Sequence, residues 1–414
     1  MDLAPVRTRG DRMMSRSRSI WTGAAVWLLF VLVAPVFFPL LILLLPICRL
    51  KSVEKRRKRV RPNIVYGPVP IINIKYNSRI DRSFGYKSDT LVYDVYDINK
   101  ADDFDYVMRF FKNKLLHRLF IRVAAYFVFL WVIWRYDIFQ FYFDGGYLSI
   151  TPLKWVELPI LRLAGKRIIV SPYGSDVTMP SKIRNKYKWN QALSWEESYP
   201  LPDEERIGKN IEYFVRYADF IIAGGEFVHY LPRLDLWLHF VAVDLDEWRP
   251  VSDPGNAQVK VVHATNHRAL SGTKYLIAAC GELEKEGYPV ELVIVERMKN
   301  TEARRIYEQA DIIVDHLLMW HGMFAVEAMA LGKPVLCYLR EELINDPRNP
   351  YAKDIPIVSS NPDNLKENLT RLIVDKSLRL ELGRRGRKYV EKYHSGKYIG
   401  SHYDEIYRSL WFGE

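Results

Sequence analysis

The stretch from Ile20 to Cys48, 29 consecutive residues without a charge, constrains this chain more than any other feature. As a helix it is ~43 Å long at ~1.5 Å per residue, against the ~30 Å of hydrocarbon in a bilayer. A removable signal peptide has an apolar region about half as long and a small-residue cleavage site, and this segment fits neither requirement. Its stretch "VLVAPVFFPLLILLLP" offers no polar face, which separates it from a helix packed into a soluble core. Pro35, Pro39 and Pro46 interrupt it and both flanks are basic. Two arrangements fit: a tilted single span, or a re-entrant hairpin with both ends cytosolic. The stronger basic flank follows the segment, so either arrangement predicts a protein of the inner (cytoplasmic) membrane whose body faces the cytosol.

The chain carries 60 Lys and Arg against 49 Asp and Glu, a net charge of +11. Residues 1–19 hold +3 of this and residues 49–61 hold +7, which leaves the body from Pro62 onward at +1. A nucleic-acid partner is therefore not expected, because the charge is not spread over a globular surface. The tract "KSVEKRRKRVRPN" reads instead as a juxtamembrane linker lying on anionic headgroups, at about 1 kcal/mol per basic residue. Cys48, Cys280 and Cys337 have no metal-ligand or redox spacing, which agrees with a reducing compartment. The triplet Asp244 to Asp246 follows a strand just before a linker, and Asp102, Asp103 and Asp105 have no His or Cys nearby, so neither is expected to hold a metal.

Beyond Pro62, short β-branched or aromatic runs recur, at "PIINIKY" from Pro70, "TLVYDVY" from Thr90, "IFQFYF" from Ile138, "RIIVS" from Arg167, "DFIIAG" from Asp219 and "LHFVAV" from Leu238. A break at "DEWRPVSDPGNAQ" precedes a second series from Val259, Val290, Asp311, Pro334 and Pro356, with helical segments between. This pattern predicts an α/β architecture of two Rossmann-like doubly wound domains. The expected division is residues 1–61 as membrane helix and basic linker, 62–250 as the first domain, and 251–414 as the second with the terminal helices. The anchor region is expected to contribute nothing to either sheet. Val123 to Trp134, uncharged between Arg122 and Arg135, reads either as a helix facing the first core or as one lying in the headgroup layer near Lys112, Lys114 and Arg118.

The segment "MWHGMFAVEAMALGKPVLCYL" from Met319 is the most specific text. Gly322 opens a helix whose free N–H groups suit an anion, Glu327 lies along it, and Gly332 ends it. A second loop, "HATNHRALSGTKYL", places Arg268 and the Gly272-Thr273 helix start after the first strand of the second domain. Two such loops at strand C-termini of one parallel sheet mark a ligand-binding edge.

These segments resemble the retaining GT-B glycosyltransferases, in particular the large family 4 group. "GMFAVEAMALGKPVL" is similar to that family's donor-side motif, and "VVHATNHRALSGTKYLIAA" looks like its first strand and diphosphate loop. The resemblance covers roughly residues 64 to 414 and implies the GT-B fold, a nucleotide diphosphate sugar donor and no required metal or other cofactor. It places Glu327 on the donor ribose. It assigns donor contacts to Arg268, Ser271, Gly272, Thr273, Gly322, Met323 and Phe324. Tyr173, Gly174, Ser175 and Asp176 fall on the acceptor side, with Glu327, Arg268 and Asp176 as catalytic candidates. Three positions depart from the motif: Met319 stands where the first glutamate falls, Ser271 where a lysine falls, and Tyr173 where a histidine falls. His267, His321 and Arg297 are candidate replacements for the missing donors, and Arg268 is expected to carry most of the positive field at the diphosphate. Tethering suggests a membrane-associated acceptor such as a polyprenyl-diphosphate-linked glycan. The rival expectation is a catalytically degenerate relative that binds sugar nucleotides or acts as a scaffold.

Overall fold

The first helix, α1 (Arg9–Arg57), passes through Pro35, Pro39 and Pro46 without a break, so the chain does not turn back within it. In this computed structural model the described residues are 9–96, 99–185, 187, 202–238 and 242–414, with side chains described from Val26 onward except Lys114. All three prolines lie on exposed positions of α1, while Val33, Phe37, Leu41, Cys48 and Ser52 form a buried stripe. That stripe packs on α3 (Lys114–Arg135) and α4 (Glu157–Leu163), which follow α2 (Asn73–Ser83) in the chain. Cys48 Sγ donates to the Ile133 carbonyl at 3.5 Å, Lys51 Nζ to that of Trp134 at 3.1 Å, and Arg56 to that of Gly165 at 3.1 Å. Lys55 pairs with the buried carboxylate of Asp137. The anchor region adds no strand to either sheet, but it is not separate from the body. The second half of α1 is a layer of the first domain, and part of the basic tract is tied to it rather than to headgroups.

Behind this layer lies a parallel sheet in the order β3-β2-β1-β4-β5-β6-β7. Its strands are β1 (Asn63–Tyr66), β2 (Lys87–Val92), β3 (Tyr106–Val107), β4 (Ile138–Phe141), β5 (Arg167–Val170), β6 (Phe220–Ala223) and β7 (Leu236–Trp237). β4 is buried at every residue, as suits a central strand covered on both faces. On one side α3 and α4 cover the sheet together with α5 (Glu204–Tyr217). The run from Pro70 expected as a strand is instead the entry to α2, whose buried face is Ile74, Asn77, Ser78 and Asp81. In the run expected from Leu238, residues 239–241 lie outside the described ones, and the observed strand ends at Trp237.

The second sheet runs β12-β11-β10-β8-β9, also parallel. It comprises β8 (Val259–Ala264), β9 (Val290–Val295), β10 (Ile312–Val314), β11 (Val335–Cys337) and β12 (Val358–Ser359). Its helices include α6 (Arg268–Ser271), α7 (Thr273–Lys285), α8 (Asn300–Glu308) and α9 (Met323–Ala330), then α10 (Glu341–Ile344), α11 (Leu365–Val374) and α12 (Lys376–Tyr393). Strand order reverses between β1 and β4 in the first sheet and between β8 and β10 in the second, which opens a crevice at the strand C-termini.

The last helix, α13 (Gly396–Phe412), crosses back and packs on α2 of the first domain. Gly400 allows the close approach, because a Cβ there would sit 2.3 Å from the Phe84 ring. Tyr407 Oη donates to Asp81 at 3.1 Å and accepts from Gln140 Nε2 at 2.8 Å, and Trp411 Nε1 donates to the Val60 carbonyl at 3.0 Å. The chain end that sequence groups with the second domain thus belongs structurally to the first.

Candidate functional site

A cleft of about 510 Å³ opens between the domains at these strand ends. The second domain supplies most of its wall, starting with the turn after β8. Thr265 Oγ1 and Ser271 Oγ lie 2.6 Å apart, and the His267 N–H donates to Thr265 Oγ1 at 3.0 Å, which fixes the loop. Gly272 follows at φ +80°, and a Cβ there would meet Leu317 and Leu318 at 3.0 Å, so glycine is required both for the conformation and for the space. Beneath the loop His263 is fully buried between the Val314 carbonyl (2.8 Å) and the Thr273 hydroxyl (2.9 Å). Burial lowers its pKa and keeps it neutral, with Nδ1–H donating to the carbonyl.

Arg268 does not face the cleft. Its Nε and Nη2 donate to the Glu296 carboxylate at 2.7 Å each, and this pairing holds Glu296 below the usual carboxylate range. Positive charge on the wall comes from Arg297 and Lys299 after β9 and from Lys75 and Lys100 of the first domain. Arg297 sits at φ +50°, its N–H donating to Asn266 Oδ1 at 3.0 Å. Lys75 leans on Asp103 at 2.5 Å.

The helix that Gly322 opens is α9, as expected, but its first N–H is already taken. Asp315, buried where β10 ends, accepts from Gly322 N at 2.8 Å, and its other oxygen lies 3.3 Å from His316 Nδ1. Met319, Gly322, Met323 and Phe324 line the cleft beside this pair. Glu327 lies one layer behind the wall at 5% exposure, its Oε1 accepting from the wall residue Asn300 at 3.2 Å. Burial pushes its carboxyl up to about 8. Ser271 and Arg297 reach the wall, whereas Gly272 and Thr273 lie beneath it. His321 turns inward, its ring 5.4 Å from that of Trp320 and 6.4 Å from that of His394.

In the first domain, Tyr173, Gly174, Ser175 and Asp176 stand apart from this wall. Asp176 is fully buried and accepts backbone N–H bonds from Phe143 (3.1 Å), Tyr173 (3.0 Å) and Gly174 (2.9 Å). Burial pushes its carboxyl up to about 7 against those three donors. Its geometry ties the loop after β5 to the end of β4. Tyr173 donates to Asp144, and its ring packs on Tyr142 at 5.2 Å. The Asp244 carboxylate accepts from the backbone of Asp246 (3.0 Å) and Glu247 (3.1 Å), which accounts for that triplet as a turn. Sequence reasoning missed Lys75, Lys100, Asn300, Asp315 and His316. For Asp315 and His316 a signal existed, since an acidic residue and a histidine directly after an apolar run stand at a strand's C-terminal end.

No family model matches the sequence, and no curated protein matches it. Solved structures do match the fold. Sucrose-phosphate synthase from Thermosynechococcus elongatus superposes with a TM-score of 0.57 over 86% of this chain and 100% of its own, at 15% identity. Anabaena HepE in complex with UDP gives 0.55 over 84% and 100%, at 12% identity. A glycosyltransferase from Rickettsia africae gives 0.53 over 85% and 99%, at 11% identity. The fold is thus the GT-B fold of two Rossmann-like domains, here with an N-terminal apolar helix long enough to cross a membrane.

Proposed function

We propose that the chain is a membrane-anchored glycosyltransferase. It moves a sugar from a nucleotide diphosphate sugar, bound in the interdomain cleft, to a membrane-associated glycan acceptor. The observation that carries this reading is that basic side chains reach the cleft from both domains, Arg297 and Lys299 on one side and Lys75 and Lys100 on the other, in a wall that also holds Asp103, Glu247 and Asp315. An anion bridging them holds the domains together, and a diphosphate has the charge and length to do so. HepE, of the same fold, was solved with UDP and with UDP-glucose, which supports this class of ligand.

Within this reading, negative charge grows on the diphosphate as the glycosidic bond breaks, and cations fixed in a water-poor cleft stabilise that change. Arg297 and Lys299 take the role that sequence gave to Arg268. Glu327 receives the donor ribose once Asn300 yields its hydrogen bond. Ser271, Gly272, Thr273, Gly322, Met323 and Phe324 shape the donor floor, and the loop Tyr173 to Asp176 shapes the acceptor side. Transfer is retaining and needs no metal, so chelation with EDTA leaves the rate unchanged. The acceptor is a polyprenyl-diphosphate-linked glycan presented at the cytosolic face of the inner membrane, where α1 holds the body.

A second reading, a sugar-nucleotide binding or scaffold protein, is favoured by three observations. Met319 stands where the motif this segment resembles has a carboxylate, Arg268 is paired with Glu296, and Asp315 occupies the first N–H of α9. The test is incubation of the full chain, in membranes, with nucleotide sugars and lipid extracts. Sugar transferred to lipid with retained configuration supports the enzyme. Nucleotide binding with no transfer across the panel supports the scaffold, and the absence of both overturns the two together.

A further inference from the structure

The outward face of α1 exposes Val36, Leu43, Ile47 and Leu50, and an apolar patch continues beside it on the first domain. α1 and α3 run side by side in the same sense, with Phe37 on Tyr126 (5.2 Å between ring centroids) and Cys48 on the Ile133 carbonyl further along both helices. The second half of α3 is buried on the sheet through Tyr126, Phe129, Val132 and Ile133. Its first half buries His117 and Ile121 but exposes Leu115, Leu116, Leu119 and Phe120. The strap before it exposes Phe110 and Phe111, whose rings meet Phe120 edge-on at 4.8 and 5.3 Å. Lys112 and Arg118 are exposed on the same patch, and Arg122 is half-buried.

We infer that residues 108–113 and the first half of α3 form a second membrane contact, a wedge that enters the headgroup layer of an anionic bilayer beside α1. Continuity with the exposed face of α1 puts the patch at the same lipid surface, and its basic residues match anionic headgroups. The first half of α3 is by itself too short to span, and the backbone of the extended strap prevents deeper insertion, because hydrocarbon satisfies none of its N–H and C=O groups. Lys112 and Arg118 reach back to the phosphates along their aliphatic stems. Against a second copy of this chain the same residues would meet like charge. Two contacts instead of one stop the body from swivelling about α1 and set the cleft at a fixed angle to the membrane. The inference rests on the membrane reading of α1 and not on the transferase reading.

The test uses the full chain in nanodiscs of zwitterionic and anionic lipids, spin-labelled singly at Leu116→Cys or Leu119→Cys. Leu43→Cys on α1 and Leu380→Cys on the second domain serve as references. Cys48, Cys280 and Cys337 are buried, so the label goes to the introduced thiol. The expected result is relaxation by oxygen and shielding from an aqueous nickel chelate at 116 and 119, as at 43 and opposite to 380. Lys112→Glu with Arg118→Glu then shifts the label at 119 to the aqueous pattern. An aqueous pattern at 116 and 119 with a lipid pattern at 43 overturns the wedge and leaves the anchor standing. Shielding from both reagents marks a protein contact and also overturns it, and an aqueous pattern at 43 as well overturns the anchor with it.

Discussion

Each domain buries one carboxylate that the sequence marked for chemistry, and the two are used in opposite ways. Asp176 in the first domain is surrounded by three backbone N–H donors and closes a loop. Glu327 in the second accepts one hydrogen bond, from the side chain of Asn300, which itself stands in the cleft wall. Burial raises both, to about 7 and about 8. The difference lies in what a ligand can offer. A carboxylate tied to three backbone N–H groups is held by the fold, while one held by a single movable amide is open to exchange it for sugar hydroxyls. A raised pKa alone does not separate a structural group from a binding group, and the identity of its partners does.

The largest expected effect tests that contrast directly. Asp176→Ala strands three buried N–H groups and lowers stability by about 3 kcal/mol or more in denaturant titrations, whereas Glu327→Gln keeps stability within about 1 kcal/mol of wild type. A stable Asp176→Ala that loses only acceptor use reverses the assignment. Next, Glu327→Ala in a folded protein weakens nucleotide-sugar binding by roughly 2 to 4 kcal/mol, measured by calorimetry, the scale of lost charged hydrogen bonds.

A pH series sharpens the same point. The free carboxyl of Glu327 titrates near 8, and ligand hydroxyls donating to it favour the charged form, so binding releases a proton below that value. Affinity therefore rises from pH 6 to pH 8, and Glu327→Gln flattens the slope. The smallest effect is expected at Arg268. Its guanidinium is half exposed and paired with Glu296, so Arg268→Ala changes donor affinity by less than about 1 kcal/mol, and Arg297→Ala costs more.

The second sheet was legible because its strands are apolar runs and its helices are punctuated by Gly272 and Gly332, both at positive φ. The first was harder to read. α2 packs through Asn77, Ser78 and Asp81, with Asn77 donating to Tyr403 and Asp81 accepting from Tyr407 and Ser88, so the buried face of this helix carries little apolar periodicity. With α2 misread as a strand, Lys75 could not be placed at the cleft. Donor-side positions were legible as a loop and a helix start, yet the direction of a side chain was not. Arg268 turned to Glu296 because that carboxylate follows the end of β9 beside it. Asp315 reached Gly322 because β10 stops at Val314 and frees the next residue to fold back. The α1 layer was hidden for a related reason, since an uncharged helix looks the same whether one face meets protein or all of it meets lipid.

Hydrogen–deuterium exchange of the full chain in nanodiscs, with and without UDP and a panel of nucleotide sugars, tests the central claim most directly. The account predicts protection in segments 264–271, 295–303 and 315–327, with none in 171–178. Protection confined to 171–178, or no change with any nucleotide sugar, would contradict a donor site in the interdomain cleft.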